Sequence, residues 1–179
     1  MNWKRLLICA FAAALFAIPA QAGTVGVYGS YWDTDEADSS WGVGVRTGFD
    51  FFDWMELEFH GTYYPDLQGN NIGLPESLDI SAIPVDGGLK FKFSPKSAAD
   101  FYLGAGFTYY FLDTKDGSID NSTGWYAEAG LDFGKRHTRG FIEAVWRTMD
   151  TSIALNAFDA NPNFDGWSVN VGANWEWGQ

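Results

Sequence analysis

One stretch near the end of the chain alternates apolar and polar residues over eleven positions without a break. It reads WSVNVGANWEW and covers residues 167–177; the odd positions are apolar and the even positions are polar or glycine. Because successive side chains of a β-strand point to opposite faces, this pattern predicts a strand with one apolar and one polar face. The fold then depends on which solvent each face meets.

The same alternation recurs along the chain, separated by two kinds of link. It predicts eight strands, at 24–32, 41–51, 54–64, 80–93, 101–111, 124–133, 140–148 and 166–177. The links after strands two, four and six are short, and the others are mostly longer. Short turns at one end and long loops at the other are typical of an outer-membrane β-barrel, with both chain ends on the periplasmic side. We also expect a bulge at Pro84, because proline cannot donate a ladder hydrogen bond.

The N-terminus has the pattern of an export signal. Lys4 and Arg5 precede an uncharged apolar run that ends in the A-x-A motif Ala20-Gln21-Ala22. We therefore expect residues 1–22 to be a secretory signal peptide that directs the chain through the Sec pathway and is then removed. Residues 23–179 would form the barrel domain, in the outer membrane of a Gram-negative-type bacterium.

Charge separates the two ends of the predicted barrel. The long links contain thirteen carboxylates and one base, Lys115, whereas the short turns contain Lys96, Lys135, Arg136 and Arg139. The whole chain has a net charge of −12, which disfavours nucleic-acid binding. We predict acidic extracellular loops, which either make the surface soluble or bind divalent cations that bridge to lipopolysaccharide phosphates.

A soluble lipocalin-like barrel or a periplasmic β-sandwich would show the same alternation with the apolar face inward. An eight-stranded interior is too narrow for the many aromatic rings of the apolar face. Rings near both strand ends match the two membrane interfaces instead. We predict that the apolar face meets lipid and the polar face lines a lumen. The tryptophans expected at the interfaces are Trp41, Trp125, Trp146, Trp167, Trp175 and Trp177.

On these features, and on a last strand that ends NWEWGQ, the chain resembles the small outer-membrane β-barrel family of OmpX-like proteins and the OmpA transmembrane domain. The resemblance covers residues 23–179. It implies an all-β, eight-stranded, antiparallel up-and-down transmembrane barrel. It also implies insertion by the barrel assembly machinery.

The predicted lumen face contains charges of both signs. They are Arg46, Lys90, Lys92 and Arg147 as bases and Asp50, Glu56, Glu58, Asp86, Glu128, Asp132, Glu143 and Glu176 as acids, together with His60. In a narrow lumen these groups must pair or form hydrogen bonds, because isolated buried charges are costly. We predict an ion-pair plug that keeps the barrel closed. The alternatives are an acid-biased path for small cations and an OmpW-like conduit for small solutes.

Neither histidine has the position expected of a catalytic residue. His60 lies mid-strand in the predicted lumen, where a hydrogen-bonded histidine is the simplest interpretation, and His137 lies in a basic turn. The segment DANPNFDG places Asp159 at the start of a calcium-loop spacing but lacks the glycine at the sixth position and the acid at the twelfth. We therefore expect no enzyme activity, metal or cofactor. The predicted role of this monomer is structural, or surface interaction through the acidic loops.

Overall fold

The computed structural model describes residues 22–34, 39–68, 79–95, 97–114, 121–135, 137–149, 153–155, 158–160 and 165–178. It contains ten strands: β1 (Gly23–Thr34), β2 (Ser40–Phe52), β3 (Met55–Gln68), β4 (Asp79–Lys92), β5 (Ala99–Thr114), β6 (Ser122–Lys135), β7 (Thr138–Arg147), β8 (Ile153–Leu155), β9 (Phe158–Ala160) and β10 (Gly166–Trp177). Strands β1–β7 and β10 form a closed barrel, and β8 pairs with β9 in a separate hairpin. No helix in the described part of the chain is long and apolar enough to cross a membrane.

The barrel confirms the predicted all-β, eight-stranded, antiparallel up-and-down fold. Each barrel strand pairs with the next barrel strand along the chain, β7 with β10, and β1 closes the ring by pairing with β10 from Gly23↔Trp177 to Thr34↔Gly166. Closure satisfies every strand edge, which the interior of a lipid bilayer requires. The hairpin of β8 and β9 lies within the segment 149–165 that the sequence pattern assigned to a loop.

The predicted bulge at Pro84 is wrong. Pro84 keeps a regular pair with Tyr110 of β5. The register of β3 against β4 shifts instead between Tyr64 and Leu67, around Pro65. β3 therefore continues to Gln68, beyond the predicted end at residue 64, because the bulge absorbs the break in alternation.

The short turns and both ends of the barrel sequence lie at the same end of the molecule, as predicted. Backbone hydrogen bonds tie them together: the Asp50 amide donates to the Ala22 carbonyl at 3.3 Å, and the Glu176 amide donates to the His137 carbonyl at 2.8 Å. We call this end the turn side and the opposite end, where the longer links join the strands, the loop side.

Burial alternates along most of each strand and shows which face is outside. In β1 and β10 the apolar odd-numbered residues are mostly exposed and the even-numbered ones mostly buried. Trp41 is 73% exposed, and Trp125, Trp167 and Trp175 are also exposed, while Trp146 and Trp177 are partly exposed. An apolar belt this extensive, outside a polar interior, is suited to lipid and excludes the soluble barrel and the sandwich.

Glycines on the inner face make room for large side chains. A Cβ at Gly44 would lie 2.3 Å from Tyr28 Cζ, and one at Gly130 would lie 2.3 Å from Tyr102 Cζ. The rings therefore lie directly against backbone. This close packing lets a narrow lumen hold several tyrosines beside its charges.

Candidate functional site

The lumen brings together all thirteen residues that the sequence predicted for its charge network. Ten of them are buried, and Asp50, Lys92 and Glu176, near the turn side, are partly exposed. Each projects inward because it occupies one of the alternate positions that form the polar face of its strand. The strand register then decides which groups meet. It arranges the charged groups in three layers from the turn side towards the loop side, and an aromatic cluster forms a fourth layer beyond them.

The first layer is built from neighbouring strands. Lys92 Nζ of β4 lies 2.8 Å from Asp50 Oδ1 of β2 and 2.5 Å from Glu56 Oε2 of β3. Lys90 Nζ lies 3.3 Å from Glu56 Oε1 and also pairs with Glu58. The direct register pair Glu56↔Lys90 explains this arrangement, which forms a row of alternating charge along one wall. Glu176 of β10 lies on another part of the wall, where its Oε1 is 3.6 Å from Arg139 Nη1.

The second layer crosses the lumen. Arg46 projects from β2, and its Nη2 donates to Asp132 Oδ1 at 2.9 Å on β6, the strand directly opposite in the eight-membered ring. Its Nη1 donates to Glu143 at 3.2 Å, and its Nε donates to Asn174 at 2.7 Å. The guanidinium carbon lies 3.6 Å from the centre of the Phe141 ring. Arg46 therefore links one wall to three strands of the other.

The layer nearer the loop side has a second crossing arginine. Arg147 of β7 donates from Nη2 to Asp86 Oδ2 of β4 at 2.6 Å, and its Nε lies 3.2 Å from both oxygens of that carboxylate. Its Nη1 donates to Ser168 at 2.6 Å, and the Thr108 hydroxyl donates to Asp86 at 2.7 Å. Asp86 is thus fully paired.

Above this layer lies an aromatic cluster that sequence reasoning missed. The ring centroid of Trp32 lies 5.0 Å from that of Tyr64 and 6.3 Å from that of Tyr110, and all three side chains are buried. Leu112 and Met149 are also buried near this end. The alternation of faces along β1 could have found this residue, because Trp32 lies on the same inner face as Tyr28 and Ser30.

Between the two arginines lies His60, which is buried in the lumen as predicted. Its Nε2 lies 3.2 Å from Glu58 Oε2, and its Nδ1 lies 4.0 Å from carboxylate oxygens of Asp86, Glu128 and Glu143. Nε2 is at ion-pair distance from Glu58, although within the described residues neither ring nitrogen has the geometry of a hydrogen bond. The acceptors surround the ring, but at distances or angles that do not form hydrogen bonds. Glu58, His60 and Glu143 offer ligand atoms within 4.8 Å of one another.

Several predicted features lie wholly or partly outside the described residues. These are the signal peptide apart from Ala22, most of the loop carboxylates and most of the calcium-like spacing that starts at Asp159. Asp33 and Asp113, at loop-side strand ends, are exposed. His137 is exposed in the turn between β6 and β7.

Comparison with known proteins identifies the family. Residues 6–175 match the family model described as outer membrane protein beta-barrel domain. The chain belongs to this family. Membership agrees with the apolar belt and places this family member in the outer membrane of a Gram-negative bacterium. A comparison with curated protein sequences gives no significant match.

Solved structures of outer-membrane barrels share the fold of this family member. Neisserial surface protein A (NspA) is 15% identical with a TM-score of 0.59, and the match covers 88% of this chain and 96% of NspA. AlkL, solved in lipid bilayers, is 12% identical with a TM-score of 0.64, covering 90% and 92%. Ail of Yersinia pestis, solved with the heparin analogue sucrose octasulfate, is 15% identical with a TM-score of 0.51, covering 89% and 100%. At these identities the likeness concerns the fold alone.

Proposed function

We propose that this family member is a closed, monomeric, non-enzymatic barrel that acts at the cell surface through its acidic loops. The observation that carries the proposal is Arg46, whose guanidinium joins β2 to Asp132 on the opposite wall at 2.9 Å. A lumen crossed by a buried ion pair has no continuous path for solutes. Function then falls to the surfaces outside the lumen.

Opening the lumen would be costly. Removing one partner of a buried ion pair typically costs about 3–5 kcal/mol, since the other charge stays buried and unpaired. Arg46 and Arg147 would both have to leave their carboxylates, and the cluster of Trp32, Tyr64 and Tyr110 would have to move as well. These layers act in series, so the closed state is strongly favoured.

A narrow, cation-selective pore is the second candidate. It is favoured by the excess of acid in the lumen, where seven carboxylates share four bases in the connected ion-pair network. Such an excess attracts cations and repels anions. The two candidates differ in whether the ion pairs of the lumen separate often enough for ions to pass.

Planar-bilayer conductance separates these candidates. The protein is refolded without a tag and inserted with KCl at two concentrations across the membrane. We expect no stable steps from the native protein and intermittent steps from the double variant Arg46→Ala, Arg147→Ala, in which both crossing side chains are lost. Stable cation-selective steps from the native protein would refute the closed lumen and support the pore.

The absence of enzyme activity is also part of the proposal. Outer-rim catalysis would need a base near the loop side, but His60 lies in the middle of the lumen and His137 lies in a turn at the other end. Among the described contacts of His60 there is no serine or threonine hydroxyl that it could activate. These positions support a non-enzymatic role.

For the loops, the partner we propose is lipopolysaccharide, bound through Mg²⁺ or Ca²⁺ between loop carboxylates and lipid phosphates. The support is the sequence, with thirteen carboxylates and one base in the loop-side links. The variant Asp35→Asn, Glu36→Gln, Asp38→Asn should weaken Mg²⁺-dependent binding of lipopolysaccharide vesicles by protein in nanodiscs. Asp53→Asn, at the opposite end, is the matched control. Equal binding by both variants and the native protein would contradict this partner.

A further inference from the structure

Four strands bring one imidazole and four carboxylates to the same level of the lumen. His60 and Glu58 come from β3, Asp86 from β4, Glu128 from β6 and Glu143 from β7. Every one of these side chains is buried. The distances from His60 to the carboxylates run from 3.2 Å to 4.0 Å.

Two members of this group lack the partners that the others have. Asp86 pairs with Arg147, Glu143 accepts from Arg46 and Asn170, and Glu58 pairs with Lys90. Within the described residues, neither carboxylate oxygen of Glu128 has a hydrogen-bond partner, and neither ring nitrogen of His60 has hydrogen-bond geometry, although Nε2 is 3.2 Å from Glu58 Oε2. Buried polar atoms in folded proteins nearly always have a partner, so we expect a bound group at this centre.

The lumen network has more acidic than basic side chains, which favours binding of a cation. The connected network has the carboxylates of Asp50, Glu56, Glu58, Asp86, Glu128, Asp132 and Glu143 and the bases Arg46, Lys90, Lys92 and Arg147. With a neutral imidazole and every carboxylate ionised, three negative charges are in excess. A buried excess of this kind is costly unless a counter-charge offsets it, and one divalent ion removes two of the three.

We propose that this centre binds one divalent transition-metal ion, with His60, Glu58 and Glu143 as ligands and Glu128 as the fourth. The first three offer atoms within 4.8 Å of one another, and Glu128 Oε2 lies 4.0 Å from His60 Nδ1. With bonds of about 2.0–2.2 Å in a tetrahedral site, ligand atoms lie roughly 3.4 Å apart. The side chains must therefore move closer together by about an ångström or more to complete the site.

The donor set selects the kind of ion. Imidazole nitrogen with carboxylate oxygen and no thiolate suits Zn²⁺, Mn²⁺ or Fe²⁺, whereas Ca²⁺ and Mg²⁺ prefer oxygen ligands alone. Zn²⁺ lies above Mn²⁺ and Fe²⁺ in the usual order of affinity and undergoes no redox change, so it is the probe of choice. Because the site is buried, the ion enters while the barrel forms. The bound ion would join β3, β6 and β7 and add to the closure of the lumen.

Refolding with Zn²⁺ tests the site. Tag-free protein is refolded into detergent with Zn²⁺ and washed with Mg²⁺ and a chelator to remove ions held by the acidic loops. Zinc per chain is then measured by mass spectrometry, and folding is checked by the mobility shift of unheated protein in gels. We expect about one zinc per folded chain and a higher unfolding temperature than for protein refolded with chelator. His60→Gln and Glu128→Gln should lose most of the zinc, while His137→Gln retains it.

A second measurement on the native protein keeps the test valid if a variant fails to fold. The native protein refolded with Co²⁺ should show visible absorption bands of a cobalt ion bound to imidazole and carboxylates, and Glu128→Gln should weaken them. Glu128→Gln should also raise the stability of the metal-free protein, because it removes a buried unpaired charge while keeping the shape. Native protein without retained zinc, or His60→Gln with as much zinc as native protein, would overturn the proposal. The conductance result does not bear on it.

Discussion

The inward direction of the polar face can be tested with one methyl group. Gly106 of β5 faces Gly88 of β4 across the sheet. A Cβ at Gly106 would lie 2.2 Å from Gly87 O, 2.6 Å from Gly88 Cα and 2.7 Å from Tyr126 Cε1. Two of these atoms belong to backbone and cannot rotate away, so the strands must separate. Overpacking of this kind costs about 1–3 kcal/mol, which is the loss of stability we expect for Gly106→Ala.

Gly29→Ala is the matched control. Gly29 lies on the outer face of β1, and a Cβ there meets no atom of the described residues within 4 Å. Both substitutions restrict the unfolded chain equally, which favours folding by about 0.4–1 kcal/mol. The difference between the variants therefore measures packing in the native state alone.

Equilibrium unfolding in urea, followed by tryptophan fluorescence in lipid vesicles, measures both variants. We expect Gly29→Ala to be as stable as the native protein or slightly more stable, and Gly106→Ala to be less stable by about 1–3 kcal/mol. The same loss in both variants, or a larger loss for Gly29→Ala, would refute the assignment of the two faces.

Two further predictions concern the lumen and the lipid-facing surface. Arg46→Met should destabilise the barrel by about 3–5 kcal/mol because Asp132 and Glu143 lose their shared cation, and adding Asp132→Asn should restore part of that loss; urea unfolding of the single and double variants checks this. Ala105→Arg places a charge near the middle of the lipid-facing side of β5 and should cost about 2–4 kcal/mol in vesicles, whereas Asn121→Arg at the loop side should cost about 0–1 kcal/mol. Equal effects of the two substitutions would contradict the proposed depth of Ala105.

The alternation of apolar and polar residues along each strand made most of the architecture predictable. Once alternation places Trp41 and Trp125 on one face and Arg46 and Glu128 on the other, lipid outside and charge inside follow from the solvation of each group. The same alternation places Trp32 on the inner face with Tyr28, although tryptophan in a membrane barrel is usually found at the interface.

Partners across the lumen could not be predicted. Glu56 and Lys90 lie on adjacent strands and are paired directly by the hairpin register. Arg46 and Asp132 are 86 residues apart and meet only because the ring has eight strands, which places β2 opposite β6. A barrel with a different strand number or stagger would pair the same residues differently.

The sequence by itself determined the local properties of this family member: the strands, the face each residue occupies and the acidic links at one end. These depend on neighbours two or three positions away, whose geometry is the same in any strand. Only the tertiary structure decided that Arg46 and Arg147 cross the lumen and that His60 and Glu128 lie beside each other in the centre of the lumen. Those contacts depend on closure and register of the whole barrel, which set the distance between opposite walls.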